Sequence, residues 1–306
     1  VGNLEEVDVR WPYGNFFRPE FALCAPESLG GLIIGTEFSM YTVNWRETLP
    51  RLREIDPGLP RGVPLCASLI EASESSSSAG GVTGHHCLWA TLSGDILRLR
   101  RFDAPFELSS REEERSLKVE GRRWISFGGA MVRCNYADAV GQADVVGTSD
   151  LMLPDPDGPS WCLLLAGWDG ASLPIALIAI DSPGSLPRND ARIRPYFDAP
   201  LHFGISFTTP QVVSVQVEPA SARVWALLRV ESTQGGDLTW HMQAWDLRSM
   251  QTLGRWRPLL PWQADFFEPV AICEDGHRSI LLVGLGSPNA GRPASPRLLR
   301  AALVNG

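Results

Sequence analysis

The sequence lacks the features that several common protein classes require. Lys118 is the only lysine among 27 basic residues and follows a leucine, which excludes a phosphate-binding loop of the G-x-x-x-x-G-K-[ST] type. There is no G-x-S-x-G nucleophile elbow and no dinucleotide-binding fingerprint. The longest apolar runs, 161–168 and 174–180, are far shorter than the roughly 20 residues of a membrane-spanning helix. We therefore expect neither nucleotide-driven chemistry nor a membrane span.

Metal-ligand patterns are also missing. The six cysteines include no Cys-x-x-Cys pair, so we expect buried free thiols rather than a zinc site. His85 and His86 are adjacent and would point to opposite faces of a strand, which prevents them from sharing a metal. We expect no metal and no cofactor. No Asn-x-Ser/Thr acceptor for glycosylation occurs, which favours an intracellular or organellar compartment over secretion.

The charge balance argues against a nucleic-acid binder. The net charge is −8, whereas phosphate binding needs a basic face. Residues 1–187 carry most of the acidic excess and residues 188–306 are slightly basic, so a local patch that attracts an acidic protein is compatible with the sequence. Because the chain opens with Val1 and no leader precedes it, we also expect that the natural protein is longer.

The residues that are abundant favour strands and turns. Gly 29 and Pro 24 exceed average usage, and short apolar runs alternate with Gly, Pro, Asp and Ser clusters. Helical patterns are sparse: 44–55 is interrupted by Pro50, and 109–119 has Ser110 as a candidate cap followed by acidic residues. We predict an all-β chain with one short helix at 109–119.

The apolar runs repeat about five times, with up to four runs in each unit of 40 to 60 residues. This pattern is typical of a β-propeller with four-stranded blades. The runs are 32–35, 38–45 and a polar run to 55; 65–71, 86–92, 95–103 and 116–121; 151–154, 161–168, 174–181 and 192–197; 212–218, 224–231, 238–247 and 252–258; and 269–274, 279–285 and 297–304.

The last unit is one strand short, and residues 7–11 could complete it from the other end of the chain. We predict that residues 1–306 form a single propeller domain of five blades, closed by this N-terminal strand. Region 124–147 fits the pattern poorly and allows a reduced sixth blade or an insertion in the third. The Ser/Gly-rich stretch 71–84 is expected to be a loop insertion.

Several third runs end in an acidic residue after an apolar or aromatic one: Phe102-Asp103, Ile180-Asp181 and Trp245-Asp246. These endings resemble the Trp-Asp dipeptide of WD-type blades. The Gly-His pair that such blades carry upstream is absent, because Gly84-His85 and Gly276-His277 do not have its spacing. The resemblance supports a propeller without membership of that family.

Two segments, Leu153-Pro154-Asp155 and 262–267, resemble parts of the invertase-like fructosidases, which are five-bladed propellers. The resemblance implies an axial pocket in which Asp155, Asp265 and Glu268 would supply the acid and base of glycoside cleavage. In that comparison Gln263 stands where the family has an acid, and Cys24-Ala25-Pro26 stands where it has its nucleophilic Asp. Glycoside binding or cleavage is therefore the alternative hypothesis.

Tryptophan and arginine occur side by side, as at Trp45-Arg46 and in Arg255-Trp256-Arg257. Such pairs form cation–π stacks and also dominate protein–protein contacts. Packing between blades is the alternative, and we expect it for most of the tryptophans, with 255–257 as the exception. We predict that Trp245, Arg255, Trp256 and Arg257 contact a partner protein. The main hypothesis is a non-catalytic scaffold module, a subunit of a larger protein complex.

Overall fold

The structure is a computed structural model. The structure describes residues 4–24, 31–36, 39–55, 66–71, 85–93, 96–104, 113–118, 126–136, 151–153, 161–181, 186–188, 191, 193–201, 210–218, 221–231, 238–253, 267–275, 279–286 and 294–302. In these residues the regular structure consists of strands and one 3-10 turn, Gly14–Phe16. No helix among them is long and apolar enough to cross a membrane.

In chain order the strands are β1 (Glu5–Val7), β2 (Phe21–Cys24), β3 (Gly31–Gly35), β4 (Met40–Asn44), β5 (Leu52–Ile55), β6 (Cys66–Glu71), β7 (His85–Ser93), β8 (Ile96–Ala104), β9 (Glu113–Lys118), β10 (Ser126–Tyr136), β11 (Leu151–Leu153), β12 (Trp161–Trp168), β13 (Leu173–Ile180), β14 (Ile193–Ala199), β15 (Gln211–Glu218), β16 (Arg223–Glu231), β17 (Leu238–Asp246), β18 (Gln251–Thr252), β19 (Phe267–Asp275), β20 (Ser279–Gly286) and β21 (Pro296–Ala302).

The described strands form five sheets, and each sheet is one blade. Their strand orders are β2-β3-β4-β5, β6-β7-β8-β9, β11-β10-β12-β13-β14, β15-β16-β17-β18 and β19-β20-β21-β1. Neighbouring strands are antiparallel except β11, which pairs in parallel with β10 at the edge of the third blade. Antiparallel neighbours joined by short connections are what the regularly spaced apolar runs predict.

The blades are arranged in a ring. The first strands of successive blades pack against one another: β2 contacts β6, β6 contacts β10, β10 contacts β15, β15 contacts β19, and β19 returns to β2. The all-β propeller predicted from the repeats is therefore confirmed. Whether residues 1–306 make a single domain stays a prediction, and the stretch 72–84 of the expected loop insertion lies outside the described residues.

The ring closes through the N-terminal strand, as predicted. β1 pairs antiparallel with β21, with Glu5 opposite Arg300 and Val7 opposite Leu298. The pairing strand is Glu5–Val7 rather than 7–11. The residues after it, including the buried Val9, pack in the apolar cluster between the last blade and the first. Closure in this form pairs an edge that would otherwise expose unpaired backbone groups.

The core consists of apolar layers between neighbouring blades. Along β13, Leu173, Ile175 and Leu177 pack against the fourth blade, while Ile178 and Ile180 face the second. The strand β16 likewise sends alternate side chains into the layers on its two sides. Because both faces of a blade are covered, these strands are continuous apolar runs rather than alternating ones. Each fully buried Leu or Ile contributes about 1.5–3 kcal/mol through removal from water.

The helix predicted at 109–119 is wrong, because Glu113–Lys118 forms β9, the outer strand of the second blade. Leu117 is buried while its neighbours on both sides are exposed, which is the two-residue period of a strand. Opposite it, β8 carries arginines, and Arg100 Nε lies 2.9 Å from Glu114 Oε2 in directly paired positions. Cross-strand pairing with a basic strand therefore overrides the local helical pattern.

Region 124–147 contains the first strand of the third blade, not a sixth blade. β10 pairs with β12 over eight residues, and β11, which the repeat pattern placed first, lies on its other side. Within β10, Gly128 is required by close packing: a Cβ there would lie 2.2 Å from the carbonyl oxygen of Val215 on β15. The apolar pattern alone could not distinguish β10 from an insertion, because Gly128 and Gly129 interrupt the apolar residues of this strand.

Candidate functional site

Of the three carboxylates in the glycosidase hypothesis, the structure describes only Glu268. Asp155 and Asp265 lie outside the described residues. Glu268 is the second residue of β19, pairs across the sheet with Leu285, and is exposed. Among the described residues, no group of three or more His, Cys, Asp and Glu side chains could hold a metal ion. Glycoside cleavage therefore stays a hypothesis from the sequence.

Trp245 occupies the core rather than a surface. Its ring is fully buried in the layer between the third and fourth blades, and Nε1 donates to the Pro200 carbonyl oxygen at 3.3 Å. The next residue, Asp246, accepts hydrogen bonds from the Arg248 and Ser249 amides, both at 2.8 Å, and so caps the turn to β18. This WD-like ending therefore serves packing and turn formation. Contrary to the sequence-based expectation, Trp245 has no surface to offer a partner.

The other residues predicted to contact a partner, Arg255, Trp256 and Arg257, lie outside the described residues. Of the predicted strand 252–258 the structure describes residues 252 and 253, and β18 ends at Thr252. A partner contact at these three residues stays a prediction.

The Trp45-Arg46 pair does form a cation–π contact. The Arg46 guanidinium carbon lies 5.1 Å from the centre of the Trp45 ring, and that of Arg300 lies 5.6 Å from it. Trp45 follows β4 of the first blade and Arg300 belongs to β21 of the last. The stack therefore joins the two blades at which the ring closes, and the nearly complete burial of Trp45 indicates a structural role.

Among the described residues, Glu274 is a charged group whose side chain is fully buried, near the end of β19. Its Oε2 accepts hydrogen bonds from Ser221 Oγ at 3.1 Å and from Trp225 Nε1. Its Oε1 accepts from Arg223 Nη1 at 3.1 Å, which is also an ion pair. All three donors belong to the fourth blade or the turn that precedes β16. We call these four residues the Glu274 cluster.

Two further hydrogen bonds extend this seam between the fourth and fifth blades. The Glu274 amide donates to Gln216 Oε1 at 2.6 Å, and the Ile272 amide donates to Ser214 Oγ at 3.4 Å. Ser214 and Gln216 are two residues apart on β15, so their side chains point to the same face and meet alternate amides of β19. Polar side chains thus connect β15 and β19, the first strands of two neighbouring blades, which do not pair in one sheet.

The Glu274 cluster therefore connects the fourth and fifth blades through hydrogen bonds and an ion pair. Each carboxylate oxygen already has at least one donor, and a buried charge needs such partners to avoid a large desolvation cost. Sequence analysis missed this group. Two features of the sequence could have indicated it. An acidic residue ends the apolar run 269–274, and Arg223 and Trp225 are two residues apart, on one face of a strand.

His241 on β17 is another titratable group, and its side chain is partly buried. Its Nε2 lies 3.0 Å from the Thr239 hydroxyl, which donates to the Val230 carbonyl oxygen. Burial lowers the pKa of His241, because desolvation disfavours the imidazolium. We therefore expect a neutral imidazole in the folded protein at neutral pH.

An exposed aromatic turn precedes the first blade. Tyr13 is 72% exposed and Phe16 is 87% exposed, at the two ends of a 3-10 turn closed by the Phe16 amide and the Tyr13 carbonyl oxygen at 3.1 Å. Leu49, 65% exposed, belongs to an adjacent segment, since the Arg10 amide donates to the Pro50 carbonyl oxygen at 2.9 Å.

Aromatic residues on the buried side of the aromatic turn pack against one another. Phe17 is buried, with its ring centre 5.2 Å from that of Trp11 and 5.1 Å from that of Tyr41. Burial raises the pKa of Tyr41, the nearby Glu54 and Tyr13 raise it further, and a hydrogen bond with Ser39 acts in the opposite direction. Tyr13 is thus close to an anchored aromatic group while its own ring faces solvent.

No protein-family model and no curated protein matches the chain. Among solved structures, the chain is similar to the crystal structure of the Vanderwaltozyma polyspora Nup133 β-propeller domain. The identity is 10%, the TM-score is 0.29, and the match covers 89% of this chain and 68% of that chain. A similarity at this level carries no argument about function. The propeller assignment rests on the strand pairing and the ring of blade contacts.

Proposed function

We propose that the chain is a non-catalytic interaction module that serves as a scaffold subunit of a larger protein complex. The observation that carries the proposal is the placement of exposed apolar side chains. Among the described residues, Tyr13, Phe16 and Leu49 are the most exposed large hydrophobic residues, and all three belong to two hydrogen-bonded segments.

The remaining exposed hydrophobic residues provide the contrast. Ile96, Leu238 and Met250 are only 38–39% exposed and belong to other blades. Isolated and partly covered apolar side chains are ordinary on soluble proteins, whereas a patch of strongly exposed ones is typical of protein contact sites. The buried polar groups do not suggest chemistry, because the Glu274 cluster is engaged in blade packing.

The test is the native mass of the protein purified at endogenous level from its own cells, with co-purifying proteins identified. We expect a defined assembly much larger than the 33.5 kDa chain. A Phe16→Ser variant expressed at the same level should dissociate from it, while Leu238→Ser, an exposed leucine on the fourth blade, should remain. A monomer without partners would contradict the proposal.

A further inference from the structure

We infer that the seam between the first and second blades binds a small molecule that carries several phosphate groups. The inference goes beyond the proposed function and does not depend on it. Three features of the two facing blade surfaces carry it. Their outer parts are left uncovered, they present cations from both sides, and hydroxyl groups lie beside those cations.

The described residues form no apolar layer between the first and second blades. The four apolar clusters lie between the second and third, third and fourth, fourth and fifth, and fifth and first blades. On β8, Leu97 and Leu99 are buried against the third blade. Arg98 lies between them, points toward the first blade because side chains alternate along a strand, and is exposed. The first blade therefore does not cover this wall of the seam.

The opposite wall belongs to the first blade and is covered only near the axis of the ring. Val43 and Leu52 pack toward the fifth blade. The next cross-strand pair, Thr42 with Arg53, therefore faces the second blade. Ile33, on the inner strand β3 of the same face, is fully buried, whereas Arg53 on the outer strand is exposed. The seam is thus closed inside and open at the rim.

Exposed cations stand on both walls of the open part. Arg51 and Arg53 belong to the first blade, and Arg98 and Lys118 belong to the second. No ion pair in the described part of the chain involves these four side chains. Like charges on two facing walls repel each other, and an anion between them would turn this repulsion into attraction.

Hydroxyl groups lie directly beside two of the guanidinium groups. Thr42 pairs with Arg53 across β4 and β5, and Ser116 pairs with Arg98 across β8 and β9. Directly paired residues have their side chains next to each other on one face of the sheet. Phosphate oxygens accept hydrogen bonds from both guanidinium and hydroxyl groups. We define the basic seam as Thr42, Arg51, Arg53, Arg98, Ser116 and Lys118.

Nearby carboxylates do not neutralise the basic seam, but they limit its size. On the wall of the second blade, Glu114 Oε2 already lies 2.9 Å from Arg100 Nε. Glu54 pairs with Tyr41 and so belongs to the other face of the first blade. Glu54 and Glu47, in the turn after β4, are exposed around the seam. A compact anion can meet the cations without extending over these carboxylates.

A small polyphosphate fits the basic seam better than a protein segment or a nucleic acid. Of the large hydrophobic side chains that the structure describes as exposed, Ile96 alone lies on these walls, and it is 39% exposed. Protein contacts depend on such apolar anchors, and single-stranded nucleic acids on exposed aromatic rings. A nucleic acid is also repelled by a chain of net charge −8.

The experiment is thermal unfolding of the protein with increasing tripolyphosphate in 150 mM salt, where weak surface attraction is screened. Since only the folded seam presents both walls, Tm should rise by about 4 °C at a hundredfold excess over Kd. Arg53→Glu and Arg98→Glu, one change on each wall, should each weaken binding about tenfold. Arg53→Gln and Arg98→Gln provide the same test where a reversed charge impairs folding. The matched control, Arg248→Glu, changes an exposed arginine of the fourth blade and should leave binding unchanged.

Several results would overturn the inference. They are an unchanged Tm, an equal rise in all variants, an equal rise with sulfate at the same ionic strength, and a loss of binding confined to one wall. Tighter binding of a glutamate-rich peptide or a single-stranded oligonucleotide of the same charge would also overturn it, in favour of that ligand. The proposed function is judged separately by the native mass, so either conclusion can fail while the other stands.

Discussion

Replacing Glu274 by glutamine tests whether its buried charge stabilises the contact between the fourth and fifth blades. Glutamine keeps the shape of the side chain but has one acceptor where the carboxylate has two. Its amide oxygen can face Ser221 and Trp225, and the amide nitrogen then faces the Arg223 donor; the opposite orientation loses the other two bonds. Either arrangement leaves a donor without its acceptor in a fully buried site.

The expected loss follows from these contacts. Hydrogen bonds to a charged group are worth about 1.5–3 kcal/mol each, and breaking a buried pair costs about 3–5 kcal/mol. Arg223 keeps 28% side-chain exposure, so water can partly solvate its guanidinium and the lower limit applies. We expect a loss of about 3 kcal/mol. With an unfolding entropy of about 0.6 kcal/mol/K for a chain of this length, Tm should fall by about 5 °C.

The assay is thermal and denaturant unfolding of the wild type, Glu274→Gln, Arg223→Met and the double variant. Because the two residues interact directly, the double variant should lose about 1 kcal/mol less than the sum of the single losses. The matched control is Glu268→Gln, which makes the same change at an exposed position of the same strand. A Glu274→Gln protein as stable as this control would refute the reasoning.

Three further predictions concern the ring and its seams. Gly128→Ala should cost about 2 kcal/mol or more in unfolding free energy, since its Cβ would meet the Val215 backbone oxygen at 2.2 Å and neither strand can move freely. Val9→Asp should lower stability by about 3 kcal/mol, because it buries an unpaired charge where the ring closes, whereas Leu238→Asp at an exposed position should not. Stability attributable to His241 should be complete above about pH 6.5, the pKa of the unfolded residue, and should be lost as pH falls toward its lowered folded value. A His241→Gln variant should lose that pH dependence in unfolding experiments, and an unchanged profile would contradict the assignment.

Much of the fold could be predicted because blade strands keep a regular spacing. β12, β15, β16 and β20 all occur close to the runs predicted for them. The errors arise where tertiary contacts override a local pattern. β9 has a helical acidic sequence that pairs with an arginine-bearing strand, and β10 is interrupted by glycines that allow close approach to the next blade.

The candidate site was much less predictable, because exposure and burial depend on what lies opposite a residue. Trp245 has the composition of an interface anchor but is buried between blades, whereas Phe16 is exposed in a stretch with no distinguishing motif. Glu274 resembles any acidic residue at a strand end until Ser221, Arg223 and Trp225 are brought to it from the neighbouring blade.

The sequence by itself determined the all-β class, the repeated blades and the need for a closing strand, since strand period and spacing are local properties. Only the tertiary structure decided which strand begins the third blade and where the closing strand pairs. It also decided which aromatic rings face solvent. These outcomes depend on contacts between residues far apart in the chain, such as Glu5 with Arg300 and Gly128 with Val215, and the energy of such contacts exceeds local preferences.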